Sequence, residues 1–150
     1  MKFPFFKQET QYTCGAASMR MALAFLGIEK TEKQVARLLH TNKVRGTWHE
    51  SFPKAAERFK LNYFVQRNSS IEGMKMLQKH GFVIIVSHMA LQEEKEGHYA
   101  VLKKIGKDSI SFFDPWFGEN KKYSLNTFNR IWKSDPKFDN EKKWLFAVKK

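Results

Sequence analysis

The chain has one cysteine, Cys14, in the run Gln8-Glu9-Thr10-Gln11-Tyr12-Thr13-Cys14-Gly15-Ala16-Ala17-Ser18, where an apolar helix is expected to begin. A single thiol makes no internal disulfide and no multi-cysteine metal site, which leaves core packing or chemistry. The unpaired N–H groups and positive end of a helix N-terminus favour thiolate over thiol, so Cys14 is a candidate nucleophile. Gln8, six residues upstream, offers a side-chain amide to the oxyanion that forms when a thiolate attacks a carbonyl, and the Cys14 N–H is a second donor. The competing reading is a buried structural thiol.

Two partners elsewhere weigh against that reading. His98 lies in Glu96-Gly97-His98-Tyr99-Ala100-Val101-Leu102, where a polar loop gives way to a strand-like run, and Asp114 closes the next such run in Ser111-Phe112-Phe113-Asp114-Pro115-Trp116. The turn residues Ile105-Gly106-Lys107-Asp108 between the runs predict a hairpin, which places His98 and Asp114 at the same end. A thiol nucleophile needs an imidazole to take its proton, and the imidazole needs a third group to fix its tautomer. His88, at the end of Phe82 to Val86, is the rival base, but Met89-Ala90-Leu91 gives it no acidic partner. Cys14, His88 and His98 with Glu93, Glu94 or Glu96 lack the spacing of a zinc site, so no metal is expected. His40, His49 and His80 are assigned surface roles. Trp116 and Phe117, just after Asp114, are candidate substrate-binding residues in an apolar cleft wall.

The order Gln8, Cys14, His98, Asp114 resembles the papain-type cysteine peptidases, and more closely the bacteriocin-processing branch that cuts double-glycine leader peptides. Cys14-Gly15-Ala16-Ala17 opening a Met/Leu/Ala helix that stops at Gly27 belongs to that pattern. Gly46-Thr47 before Ala55-Ala56-Glu57-Arg58, then Phe82-Val83-Ile84-Ile85-Val86, His98-Tyr99-Ala100-Val101, Asp114-Pro115 and Tyr123-Ser124-Leu125, continue it along almost the whole chain. The resemblance implies Cys14 as nucleophile, His98 as general base and acid, Asp114 as the histidine's orienter and Gln8 as oxyanion donor, with a peptide or protein as substrate. It departs at Thr13, where an acidic residue is frequent, and no membrane or ATPase segment is attached, so a free-standing peptidase is expected. An acyl transferase using the same acyl-enzyme, or an inactive peptide-binding module, are the alternatives.

The elements that must position these residues are also legible. Helices are expected from Cys14 to Leu26, from a Thr31/Gln34 capping box through Leu39, from a Thr47/Glu50 box through Phe59, from Ser69/Glu72 to Gly81, and near Leu125 to Trp132. Pro53 is tolerated only in a first helical turn. Strands are expected at Asn62–Gln66, Phe82–Ser87, His98–Ile105, Ser109–Phe113 and Trp144–Val148. The expected fold class is α+β, with an N-terminal helical half packed on a C-terminal antiparallel sheet and the site in the cleft between, and the resemblance implies that this is a papain-like single domain over residues 1–150.

Composition agrees. A chain of 150 residues, 42% hydrophobic, supports one core without staples. No apolar run approaches a bilayer span, and Met-Lys-Phe-Pro-Phe-Phe-Lys is too short and broken for a signal segment, so a cytoplasmic monomer is expected. The net charge of +12 comes from lysines scattered in pairs such as Lys103-Lys104 and Lys121-Lys122, read as a solvated basic face with no nucleic-acid fingerprint. Isolated glycines make no phosphate loop, and no cofactor is expected.

Overall fold

The computed structural model describes residues 2–89 and 96–150. Ala90, Leu91, Glu93 and Glu94, named above, lie outside the described residues. Among the described residues five helices surround a six-stranded antiparallel sheet. The chain runs α1 (Cys14–Phe25), α2 (Glu32–Leu38), α3 (Ser51–Arg58), β1 (Asn62–Gln66), α4 (Ile71–Lys79), β2 (Val83–Met89), β3 (Gly97–Ile105), β4 (Ser109–Asp114), β5 (Gly118–Ser124), α5 (Leu125–Ile131) and β6 (Leu145–Lys149). Strand order is β1-β6-β2-β3-β4-β5.

Alternation of side chains across each strand divides the interior into two cores. On one face Ile85, Tyr99, Val101, Phe146 and Val148 pack with Met19, Ala22 and Leu23 of α1 and with Phe52 and Ala56 of α3. On the other, Ile84, Val86, Ala100, Leu102, Ile110 and Phe112 pack with Met74 of α4 and Phe128 and Ile131 of α5. The helical half thus covers one face, while α4 and α5 close the opposite face. β2, at the centre, is buried throughout, which accounts for its unbroken apolar run Val83-Ile84-Ile85-Val86.

Local chemistry sets most of the boundaries. The Thr31/Gln34 capping box forms with both hydrogen bonds. The Thr47/Glu50 box does not: Glu50 itself is the N-cap of α3, and the Thr47 hydroxyl bonds that of Thr41 at 2.8 Å. α4 is capped one residue later than expected, by Ser70, whose Oγ accepts the Gly73 N–H at 2.9 Å. β5 was not anticipated as a strand, because in Gly-Glu-Asn-Lys-Lys-Tyr-Ser only Tyr123 is buried. Lysines on such an edge also discourage pairing with other chains. The β3–β4 hairpin pairs Val101 with Phe113 and Leu102 with Phe112, so His98 and Asp114 do meet at one end of the sheet.

Candidate active site

Cys14 is the first residue of α1, and the loop before it is fastened at two points. The Glu32 carboxylate at the start of α2 accepts the Glu9 N–H with both oxygens, at 3.0 and 3.1 Å, and the Gln8 N–H donates to the Pro115 carbonyl at 2.9 Å. Burial pushes the Glu32 pKa up, against the lowering effect of that N–H. The loop is therefore tied to α2 on one side and to the turn following Asp114 on the other. The first bond within α1 runs from the Ala17 N–H to the Thr13 carbonyl at 2.9 Å. The N–H groups of Cys14, Gly15 and Ala16 have no partner inside the helix, and they point outward as donors.

Gly15 is required by close approach. A Cβ there would meet Thr47 Oγ1 at 2.5 Å and Thr47 Cβ at 2.8 Å, with the Tyr99 ring at 3.2 Å. The helix start is thus pressed against the Thr47 loop and β3, where His98 sits.

The His98 Nε2–H donates to Asp114 Oδ1 at 2.7 Å, and the Cys14 side chain is close enough to act on the same imidazole. With Nε2 committed to the carboxylate, Nδ1 is the nitrogen left for the thiol. Burial alone would lower the His98 pKa. The hydrogen bond to Asp114 and the influence of Cys14 and of both charges outweigh it, and the pKa is pushed up to about 10. For Asp114 burial acts upward, but the His98 hydrogen bond and charge and the N–H groups of Phe117 and Trp116 hold the carboxyl below its usual range.

Those two N–H groups reach Asp114 Oδ1 at 3.0 Å (Phe117) and 2.9 Å (Trp116), an Asp-Pro turn folding back on its own first side chain. The Phe117 ring stands edge-on to His98 with centroids 6.0 Å apart, while the Trp116 indole is exposed. Trp116 and Phe117 therefore adjoin the His98–Asp114 pair, but neither is among the residues that line the cleft beside Cys14.

Gln8 is placed differently from the other three. Its amide Nε2 donates to the Thr10 carbonyl at 2.7 Å, and its Oε1 is buried without a hydrogen-bond partner among the described residues. Donation to an oxyanion at Cys14 requires the second amide hydrogen or a turn of the amide.

A cleft of about 530 Å³ opens beside Cys14. Its walls include Gln11 and Tyr12 from the first loop, Lys43 to Thr47, Tyr99 of β3, and Asp135, Lys137 and Phe138 from the segment before β6. The two lips are joined by Arg45, which lies 3.4 Å from Asp139 Oδ2 and stacks between the Trp48 and Phe138 rings. Of these, Gly46, Thr47 and Tyr99 fall in runs the sequence marked out, whereas Lys43, Val44, Arg45, Asp135, Lys137 and Phe138 carry no signal by type or spacing.

His49, expected at the surface, is buried behind the cleft. The Tyr99 hydroxyl donates to the Thr47 carbonyl at 2.8 Å, so it accepts from His49 Nδ1 at 2.6 Å. His49 Nε2 then accepts the Ser134 hydroxyl at 2.7 Å. The ring stacks on Trp144 at 4.2 Å, and burial lowers its pKa to about 4. His88, the rival base, lies fully buried beneath His98. Its Nδ1 donates to the Met89 carbonyl at 2.9 Å, and burial, followed by the His98 charge, lowers its pKa to about 4. It is not among the described residues that line the cleft. His40 and His80 are exposed, as expected.

The model of the peptidase C39-like family matches residues 1–137. The chain belongs to that family. A Bacillus anthracis structure assigned as a C39-like peptidase is 16% identical, with a TM-score of 0.79 over 99% of this chain and 94% of that one. The peptidase domain of Streptococcus ComA, a bifunctional ABC transporter of a quorum-sensing pathway, is 16% identical with a TM-score of 0.75 over 99% of this chain and 100% of that one. A double glycine motif protease from an AMS/PCAT transporter, in complex with its leader peptide, is 23% identical with a TM-score of 0.73 over 99% and 93%. At these identities the likeness shows the papain-like fold. No curated protein sequence matches the chain. Among the described residues no helix of this C39-like chain is long and apolar enough to cross a membrane.

Proposed function

We propose that this C39-like chain is a cysteine peptidase, acting as one domain over residues 1–150, that hydrolyses a peptide bond with Cys14 as nucleophile, His98 as general base and acid, and Asp114 as the group that orients His98. The observation that carries this reading is the buried His98–Asp114 hydrogen bond whose imidazole is acted on by Cys14, the residue that opens onto the cleft. Cys14 attacks the carbonyl carbon while His98 holds the thiol proton. The oxyanion then draws on the Cys14 N–H and, after a turn of its amide, on Gln8. His98 gives its proton to the leaving amine, and the acyl-enzyme is released by a water that His98 deprotonates. Trp116 and Phe117 would border the substrate on the Asp114 side.

The double glycine motif and leader peptide of the transporter protease suggest the first substrate to test, a peptide with Gly-Gly before the scissile bond. Cleavage of such peptides, and of a mixed peptide library, should be followed by mass spectrometry. Cys14→Ala, with its fold retained, is expected to lose at least about a thousandfold in turnover, as in other triad enzymes. Turnover at the wild-type level in Cys14→Ala would end the proposal.

A further inference from the structure

Asp114 is held by one oxygen only. Oδ1 accepts His98, Trp116 and Phe117, whereas Oδ2, on a side chain with no solvent exposure, has no hydrogen-bond partner among the described residues. Rotation about the last torsion of an aspartate is soft, so anchoring at a single oxygen leaves the plane of the carboxylate poorly fixed. An ionised oxygen buried without a donor is also costly.

Two more polar atoms on the same side of the sheet share this condition. His88 Nε2 and Tyr123 Oη are buried and lack partners among the described residues. His88 on β2 pairs with His98 across the ladder, with ring centroids 5.5 Å apart, and its ring lies 5.7 Å from that of Tyr123 on β5. The charge of Asp114 acts on both. Strand parity and register have therefore gathered two unpaired buried atoms near the unpaired oxygen of one carboxylate.

Their hydrogen-bonding capacities are complementary. His88 Nδ1 carries a hydrogen, since it donates to the Met89 carbonyl, so neutral His88 presents a lone pair at Nε2. Asp114 Oδ2 is a second acceptor, and the Tyr123 hydroxyl brings one hydrogen. Two acceptors and one donor match the two hydrogens and a lone pair of one water molecule, and buried waters typically make about three bonds. We propose that Asp114 Oδ2, His88 Nε2 and Tyr123 Oη together bind one internal water, and that His88 and Tyr123 act through it as positioning residues for the catalytic carboxylate. The inference rests on the Cys14–His98–Asp114 reading above.

A high-resolution crystal structure of the full chain tests the site. A water within about 2.7 to 3.2 Å of all three atoms is expected. Tyr123→Phe keeps the ring that packs on His88, Phe112 and Phe128 and removes only the hydroxyl. It should lower kcat about tenfold with KM unchanged, on the scale of one lost buried hydrogen bond. It should also move the low-field proton resonance of His98 Nε2–H. His88→Gln, which keeps an acceptor near the Nε2 position, should retain more activity than His88→Leu. The three atoms paired to other groups, or no density between them, would overturn the water. Wild-type kcat with an unmoved His98 resonance in Tyr123→Phe would overturn the positioning role. The density and the resonance are read without substrate, so a failure of the peptidase reading itself would show separately, as absent turnover in the wild type.

Discussion

At His98 two effects of opposite sign meet. Burial alone would make the imidazole harder to protonate, yet its interactions with Asp114 and Cys14 win and push its pKa to about 10. A group raised in this way contributes stability that is fully present below its ordinary value of about 6.5 and lost as pH rises through about 10. The alkaline limb of kcat/KM against pH is accordingly expected well above the range of a free histidine. Asp114→Asn keeps a hydrogen bond but loses the charge, so it should shift that limb downward and give a milder defect than His98→Ala. An alkaline limb unmoved in Asp114→Asn would show that the carboxylate does not set the His98 proton. Gln8→Ala is expected to slow the chemical step by roughly a hundred- to a thousandfold with little change in binding, the usual loss for one oxyanion donor. Single-turnover kinetics separates the two, and an unchanged rate would leave Gln8 as a loop residue bonded to Thr10.

At the scale of elements, the start of α1 is set by contact as much as by propensity. Because a Cβ on Gly15 would collide with the branched Thr47 side chain, Gly15→Ala must push Cys14 or the Thr47 loop aside. Its stability is expected to fall by about 1 to 3 kcal/mol, as in other overpacked sites, with activity falling further than stability explains. Denaturant titration beside a kcat measurement checks this, and the Gly15→Ala, Thr47→Gly double variant should recover part of both. α1, the Thr31/Gln34 box and the β3–β4 hairpin were legible because each rests on nearby residues in the sequence. The start of α3 was not, since Thr47 spends its hydroxyl on Thr41 rather than on a cap. β5 was hidden because an edge strand buries only Tyr123, which leaves no alternating pattern to read. The buried place of His49 escaped for a related reason: its partners Tyr99 and Ser134 are 50 and 85 residues away.

Across the whole molecule two buried histidines govern behaviour in acid. His49 and His88 are both held near 4 by burial, so the unfolded chain takes up protons at a higher pH than the folded one. Their stabilisation is present above about 6.5 and lost as pH falls towards about 4, up to about 3 kcal/mol each at roughly 1.4 kcal/mol per unit. The melting temperature is expected to fall by more than about 5 °C across that window, and His49→Gln to flatten the fall, as calorimetry would show. The sequence showed which residues carry the candidate chemistry, since Cys14, His98 and Asp114 stand out by type and by the elements they begin or end. It did not show the cleft, whose lips come from Lys43–Thr47 and from Asp135–Phe138 and are joined through Arg45. The central claim is that His98 activates Cys14. The rate at which iodoacetamide alkylates Cys14 near neutral pH, compared between the wild type and His98→Ala by intact-mass spectrometry, tests it most directly. The wild type is expected to react at least about tenfold faster, and equal rates would show that His98 does not activate the thiol.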